Sequence, residues 1–264
     1  MGTPPSLKLD QVALPLTVAK AANALAKRLE AGGAGEEVLQ ELAELGQLRQ
    51  KDLDDHRTNG AVFTPYSVAQ ELVREAGIDA GDIVCDPSVG PGVFLLAAAE
   101  QKFHGGESVP SIIDSLRGID IDPLTIQVAR TTLRLWAAWR GKQWLATDQL
   151  IVGDGLLDVP ADWYGGCDVV IGNPPFLGQL KSETARNSMR AKALKERFGD
   201  LYTAYVDESM LFLLLGVELS SANGTVVLIV PASLLGADSS RPAREWIDDQ
   251  LPESQGYFGD PGGG

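Results

Sequence analysis

Asp168-Val169-Val170-Ile171-Gly172-Asn173-Pro174-Pro175-Phe176 is an apolar run that stops abruptly at an amide, two prolines and an aromatic ring. A short apolar run bounded by a breaker reads as a buried strand, and prolines, which lack an amide donor, end it. Asn173 therefore belongs at a strand's carboxyl end. In an open parallel sheet that end is where ligands bind, so an amide, two rigid prolines and a ring are presented to a ligand there.

Working outward, strands and helices alternate. Asp82–Cys85 reads as a strand that runs into the loop Asp86-Pro87-Ser88-Val89-Gly90-Pro91-Gly92-Val93-Phe94, followed by an apolar helix from Leu95 to Gln101. Leu116–Ile121 is a second strand carrying Asp120, followed by a helix over Leu124–Trp139. Gln149–Val152 is a third strand, ending in Gly153-Asp154-Gly155, and Thr225–Val230 is a fifth, after the opening stretch as the fourth. This alternation implies a doubly wound parallel sheet with right-handed crossovers. Ahead of it, Leu16–Leu29 and Glu36–Leu53 show helical spacing of apolar residues on either side of a glycine-rich break, an N-terminal helical arm read as a packing or oligomer hairpin. Between arm and sheet, a turn-rich loop from Arg57 ends in Phe63-Thr64-Pro65, and the Thr-Pro pair opens a helix near Tyr66.

Composition narrows the function classes. The 264 residues suffice for one large α/β domain with an appendage. No apolar run reaches membrane-spanning length, and the first residues lack a signal peptide's pattern, so a cytoplasmic location is expected. Cys85 and Cys167 read as reduced core thiols, His56 and His104 are isolated, and no metal-ligand spacing occurs, so no metal is expected. Trp136 and Trp139 lie at helical spacing and read as core. The formal charge of −14 argues against a chain that grips nucleic acid by itself. The connection after the opening stretch is locally basic, with Lys181, Arg186, Arg190, Lys192, Lys195 and Arg197 against Glu183, Glu196 and Asp200. A solvated helix face and a phosphate contact both explain that run.

The glycine loop narrows the ligand. Gly90 and Gly92 between strand and helix let a ligand approach the backbone, but Asp86 and Pro87 at the loop's start oppose a pyrophosphate. A carboxylate there suits a ligand with a cationic amino-acid end, and S-adenosylmethionine has an ammonium, a sulfonium and a ribose. Asp120, at the end of the second strand, is placed to accept from ribose hydroxyls, and Asp154, after the third, from the adenine amine of that cofactor.

With Phe63-Thr64-Pro65, Asp86-Pro-Ser-Val-Gly90-Pro-Gly92-Val-Phe94, Gly118-Ile-Asp120, Gly153-Asp154 and Asn173-Pro-Pro-Phe176 in this order, the chain resembles the DNA adenine-N6 amino-methyltransferases of the gamma arrangement found in restriction-modification systems. The resemblance spans about residues 40 to 240. It implies an α/β fold: a doubly wound, Rossmann-like S-adenosylmethionine-dependent methyltransferase sheet with an N-terminal helical arm over residues 1–56 and a catalytic domain over 57–264. It implies methyl transfer to the exocyclic amine of a flipped-out adenine in double-stranded DNA. Asn173, Pro174, Pro175 and Phe176 would form the catalytic set, and Phe63, Thr64, Pro65, Asp86, Pro87, Gly90, Gly92, Asp120 and Asp154 the cofactor site.

Family members continue past the fifth strand with further sheet strands and a target-recognition domain, whereas this sequence ends at Gly264. The expectation is therefore incomplete C-terminal strands, an absent target-recognition domain, and a truncated or split enzyme working with a specificity subunit. Two other readings stand beside it. Glutamine-amide methyltransferases acting on peptide release factors share an Asn-Pro-Pro-aromatic tetrapeptide, and a non-catalytic cofactor-binding remnant could keep the fold.

Overall fold

The computed structural model describes residues 14–33, 35, 37–54, 64–141, 148–175, 185–202, 207–232, 234 and 240–250. Strands β1 (Val84–Asp86), β2 (Leu116–Asp120), β3 (Leu150–Val152), β4 (Cys167–Gly172) and β5 (Ser220–Leu228) pair in parallel in the order β3-β2-β1-β4-β5. Strand order reverses between β1 and β4, so their carboxyl ends border the crevice where such sheets bind ligands.

Helices cover both faces, which explains why the strands read as unbroken apolar runs. On one side α3 (Tyr66–Glu75), α4 (Val93–His104), α5 (Val109–Ser115) and α6 (Pro123–Gly141) share a core with Val84, Leu116, Val169 and Ile171. On the other, α7 (Ala185–Phe198), α8 (Glu208–Leu219) and α9 (Arg241–Gln250) share one with Cys85, Ile119 and Val170. The alternation of Val169, Val170 and Ile171 between the two cores is the period-2 rule of a strand. Helix α4 is apolar nearly all round, with Phe94 to Ala99 buried without interruption, as a helix between sheet and outer layer must be.

Helices α1 (Leu16–Glu30) and α2 (Glu37–Asp54) form where the apolar spacing places them, and both pack on α6. Their buried Val18, Leu25, Leu42 and Leu45 belong to the same core as α3, α4 and α6. Strand β5 starts earlier than its sequence pattern indicates: Ser220 pairs with Cys167 and Thr225 with Val169, so the extra residues between them are accommodated as an irregularity of the edge strand. Helix α5 had no counterpart in the periodicity, because seven residues are too few to show it. Its start is marked, however, by Ser108, whose Oγ accepts from the Ser111 amide at 3.5 Å, and by Pro110 in the first turn.

Trp136 and Trp139 are buried in the core, and both cysteines are free and buried, as their positions imply. His104 pairs with Glu100, a buried carboxylate that also accepts from Trp136 Nε1 at 2.9 Å and from Arg140. His56 lies outside the described residues. No helix among the described residues is long and apolar enough to cross a membrane.

Candidate functional site

The site grows from the loop that joins β1 to α4. Gly92 caps α4 in the left-handed region at φ 89°, and a Cβ there would stand 3.1 Å from the Cβ of Ala129 on α6. The left-handed φ favours glycine, and the close approach of Ala129 adds to the cost of any side chain. Gly90 is likewise left-handed at φ 51°. The loop is held against the neighbouring strand by the Val89 amide, which donates to the Ile119 carbonyl at 3.0 Å, and the Gly90 amide, which donates to Asp120 Oδ2 at 3.2 Å.

Asp86 ends β1 and is 1 % exposed. Its Oδ1 accepts from the Ser88 amide at 3.0 Å and from Ser88 Oγ at 3.3 Å, while its Oδ2 is buried with no partner among the described residues. Burial raises its pKa to about 7, against the lowering effect of the Ser88 bonds. The carboxylate fits there only because β4 ends in Gly172, where a Cβ would lie 2.6 Å from Asp86 Oδ1. Pro87 is pinned from below, its carbonyl lying where a Cβ on Gly155 would be. A carboxylate with one oxygen anchored and the other buried and unpaired is costly unless a proton or a cationic group completes it.

Asp120 is braced on both oxygens, Oδ1 accepting from the Asp122 amide at 2.8 Å and Oδ2 from Gly90. Burial is the main cause raising its pKa to about 6. Immediately beyond it Ile121 is 67 % exposed, and Val152 at the end of β3 is 51 % exposed. Two large apolar side chains thus stand open beside a braced acid at this end of the sheet. Sequence reading passed over both, since a strand-end apolar residue carries no motif.

Asp154 follows β3 and is tied to the same end of the sheet by the Gly153 amide, which donates to the Asp120 carbonyl at 3.0 Å. Its carboxylate accepts from the Leu156 amide at 3.0 Å and pairs with Arg190 Nε at 2.5 Å. Arg190, on α7, also pairs with Glu208 at 2.5 Å, and the two acids hold its guanidinium strongly protonated. Asp154 thus has a protein partner that sequence spacing did not reveal.

At the end of β4, Asn173 is half-buried and Pro174 buried. The Asn173 side chain donates from Nδ2 to Thr64 Oγ1 at 3.1 Å, and its Oδ1 is buried with no partner among the described residues. Thr64 is itself buried, and Pro65 stands at the N-cap of α3. The threonine of the N-terminal element and the asparagine of the tetrapeptide are therefore one unit, in which the amide donates to protein and keeps its oxygen for something else. Phe63 and Phe176 lie outside the described residues.

Among its described side chains the basic connection divides: Lys192 and Lys195 are exposed, as on a solvated helix face, whereas Arg190 and Arg197 are paired inward. Arg197 on α7 pairs with Glu218 at 2.5 Å and donates to the Leu156 carbonyl at 3.2 Å and to Tyr164 Oη at 3.0 Å. Arg190 is bound as above, Lys195 donates to the Gly199 carbonyl at 2.7 Å, and Lys192 stands 3.7 Å from Glu196. These charges dock α7 onto the body or pair along it. Lys181 lies outside the described residues.

The model of the family described as Eco57I restriction-modification methylase matches residues 114–256, more than half of the chain. The type II restriction enzyme and methyltransferase RM.BcgI of Heyndrickxia coagulans is 27% identical over 138 residues, which cover 51% of this chain and 21% of that protein. Among solved structures, the methyltransferase subunit of a type I restriction-modification system from Streptococcus thermophilus superposes with a TM-score of 0.60 at 21% identity, covering 84% of this chain and 44% of that one. A Listeria monocytogenes protein assigned to the class I S-adenosylmethionine-dependent methyltransferases gives a TM-score of 0.55 at 18% identity, covering 88% and 70%. The chain thus spans about a fifth of this curated relative, and its fold is that of the class I S-adenosylmethionine-dependent methyltransferases.

Proposed function

The chain belongs to the family of Eco57I restriction-modification methylases, and from that premise we propose that it methylates the exocyclic amine of an adenine flipped out of double-stranded DNA, with S-adenosylmethionine as donor. The observation that carries the reading is the polarity of Asn173: Nδ2 is committed to Thr64, which leaves a buried Oδ1 as a pure acceptor at the carboxyl end of β4.

That arrangement suits an aromatic amine. Its lone pair is delocalised into the ring, so it is a poor nucleophile. Asn173 Oδ1 and the Pro174 carbonyl each accept one amine hydrogen, which draws the nitrogen toward tetrahedral geometry and stabilises the positive charge that develops on it. The two prolines fix the backbone that carries the second acceptor. Phe176 stacks on the extruded base, partly offsetting the few kcal/mol that flipping costs. Asp86 accepts from the cofactor's ammonium, Asp120 from its ribose hydroxyls, and Ile121 offers an apolar surface to its purine. Thr64 acts through Asn173, and Phe63 and Pro65 are assigned to the cofactor site with it. Pro87, Gly90 and Gly92 give the loop its shape. Asp154 contributes an acceptor for the cofactor's adenine amine while Arg190 holds its carboxylate in place. Bound S-adenosylmethionine supplies a methyl group on a sulfonium leaving group, and the chain's own contribution is positioning and fixed charge.

Residues 57–264 form the catalytic unit in this reading, with residues 1–56 as its helical arm. Selection of the target sequence belongs to a further domain or a specificity subunit. The charge of −14 supports this, as does the internal pairing of Arg190 and Arg197, which withdraws two of the cations of α7 from phosphate contact. Incubation with tritiated S-adenosylmethionine and either unmethylated bacterial DNA or bacterial protein extract tests the assignment. Label enters DNA; label in protein alone would make the chain a protein-amide methyltransferase.

A further inference from the structure

The arm touches both loops that hold Asp120. Gly46, in the middle of α2, is pressed so close to the glycine loop that a Cβ would stand 2.9 Å from Cβ and Cγ of Pro91. One turn later Arg49, 7 % exposed, pairs with Asp122 Oδ2 and donates from Nε to Thr125 Oγ1 at 3.4 Å. Thr125 Oγ1 donates in turn to Asp122 Oδ2 at 2.7 Å, and the Leu124 amide donates to Asp122 Oδ1 at 3.1 Å. Asp122 is thus fixed from three sides, and its amide is the donor to Asp120 Oδ1. The other oxygen of Asp120 takes the amide of Gly90, next to the Pro91 on which α2 rests.

We propose that Arg49 is a positioning residue for cofactor binding: through Asp122 it fixes the backbone donor that orients Asp120, so that the N-terminal arm sets the affinity of the ribose subsite. The inference rests on the assignment of Asp120 to the cofactor. A packing hairpin needs no buried arginine, because Val38, Leu42 and Leu45 already seat α2 in the core. A buried guanidinium joined to a loop carboxylate is a device for fixing geometry, since desolvating it gains little stability over an apolar side chain. Burial and the charge of Asp122 disfavour the ionised form of Asp120, and the Asp122 and Gly90 amides and the charge of Arg49 favour it.

The test is S-adenosylmethionine affinity of the full chain by calorimetry from pH 5.5 to 8.5, with folding followed by circular dichroism. Arg49→Met keeps the apolar stem and loses the charge. It is expected to weaken binding about tenfold at pH 7 and to move upward the pH at which Asp120 enters the affinity curve, about 6 in the wild type, while the far-ultraviolet spectrum is retained. Asp122→Asn is expected to weaken binding by a similar factor but, by removing a like charge, to move that pH downward, and the double variant to lose no more affinity than either alone, because the two act in one path. Arg49→Lys, which keeps a charge but not the fork, recovers the pH midpoint and only part of the affinity, and stands in if Arg49→Met does not fold. Wild-type affinity and pH midpoint in the folded variants, or additive losses in the double variant, would overturn the proposal while leaving the cofactor assignment intact. Absence of binding by the wild-type chain would overturn both.

Discussion

Thr64 Oγ1 accepts from Asn173 Nδ2 at 3.1 Å, across 109 positions of sequence. An amide rotates freely in solution and can offer either its donor or its acceptor. In the fold Nδ2 is the group turned to Thr64, and Oδ1 is the group presented. Thr64→Val, which keeps the shape and deletes the acceptor, should lower kcat about tenfold and leave the dissociation constant for S-adenosylmethionine within twofold of wild type. Thr64→Ser should restore most of the rate. Steady-state kinetics paired with calorimetry separates the two parameters.

Gly172 is a second residue whose identity is set by its neighbour. With 2.6 Å between its ideal Cβ and Asp86 Oδ1, Gly172→Ala must push the carboxylate out of its Ser88 bonds or part β1 from β4. Cofactor affinity should fall at least tenfold, and stability by about 1–3 kcal/mol from overpacking, read from urea denaturation. Gly106, where nothing lies within 4 Å, is the control: its alanine variant bears only the strain of a positive φ and should bind cofactor normally.

Asp86 gives the site a pH dependence. Its carboxyl titrates near 7 in the fold against an ordinary value of 3.8, so the folded chain holds a proton that the unfolded chain has released. The contribution of this group to stability is present in full below about pH 4 and is lost as pH rises through 7. Binding of a cationic ammonium requires the ionised form, so cofactor affinity should run the other way, increasing up to pH 7 by as much as about tenfold per unit and levelling above it. Asp120, titrating near 6, steepens the lower part of that curve. Asp86→Asn should bind weakly and lose the part of the slope between 6 and 7.

Arg190 links three elements, α7, the end of β3 and α8, through Asp154 and Glu208. Arg190→Met leaves two largely buried carboxylates facing one another. The expected loss is about 2 kcal/mol or more of stability at pH 7, read from thermal denaturation of the variant against wild type.

Much of the fold was legible because its strands are buried on both faces and therefore spelled as short apolar runs, of which Val169–Ile171 is the clearest. The order of the acidic strand ends and the glycine loop was legible for the same reason, since each follows a run that stops. Helix α5 was not, being too short for its period to show, although Ser108 and Pro110 mark its start. The partners of the site residues were hidden for a different reason. Arg190 lies 36 positions from Asp154, and Arg49 lies 73 from Asp122, and spacing carries no information about contacts made by folding. The basic run was misleading: its arginines read as a surface feature, whereas Arg190 and Arg197 are held by buried or half-buried acids.

Nucleoside analysis of the methylated product tests the central claim most directly. Unmethylated DNA is incubated with the chain, together with its specificity partner where one is encoded beside it, and S-adenosylmethionine carrying a labelled methyl group, then digested and resolved by mass spectrometry. The account predicts label in N6-methyldeoxyadenosine, and its disappearance in Asn173→Ala, which should still bind the cofactor with near wild-type affinity. Label in another nucleoside, or undiminished transfer by Asn173→Ala, would contradict it.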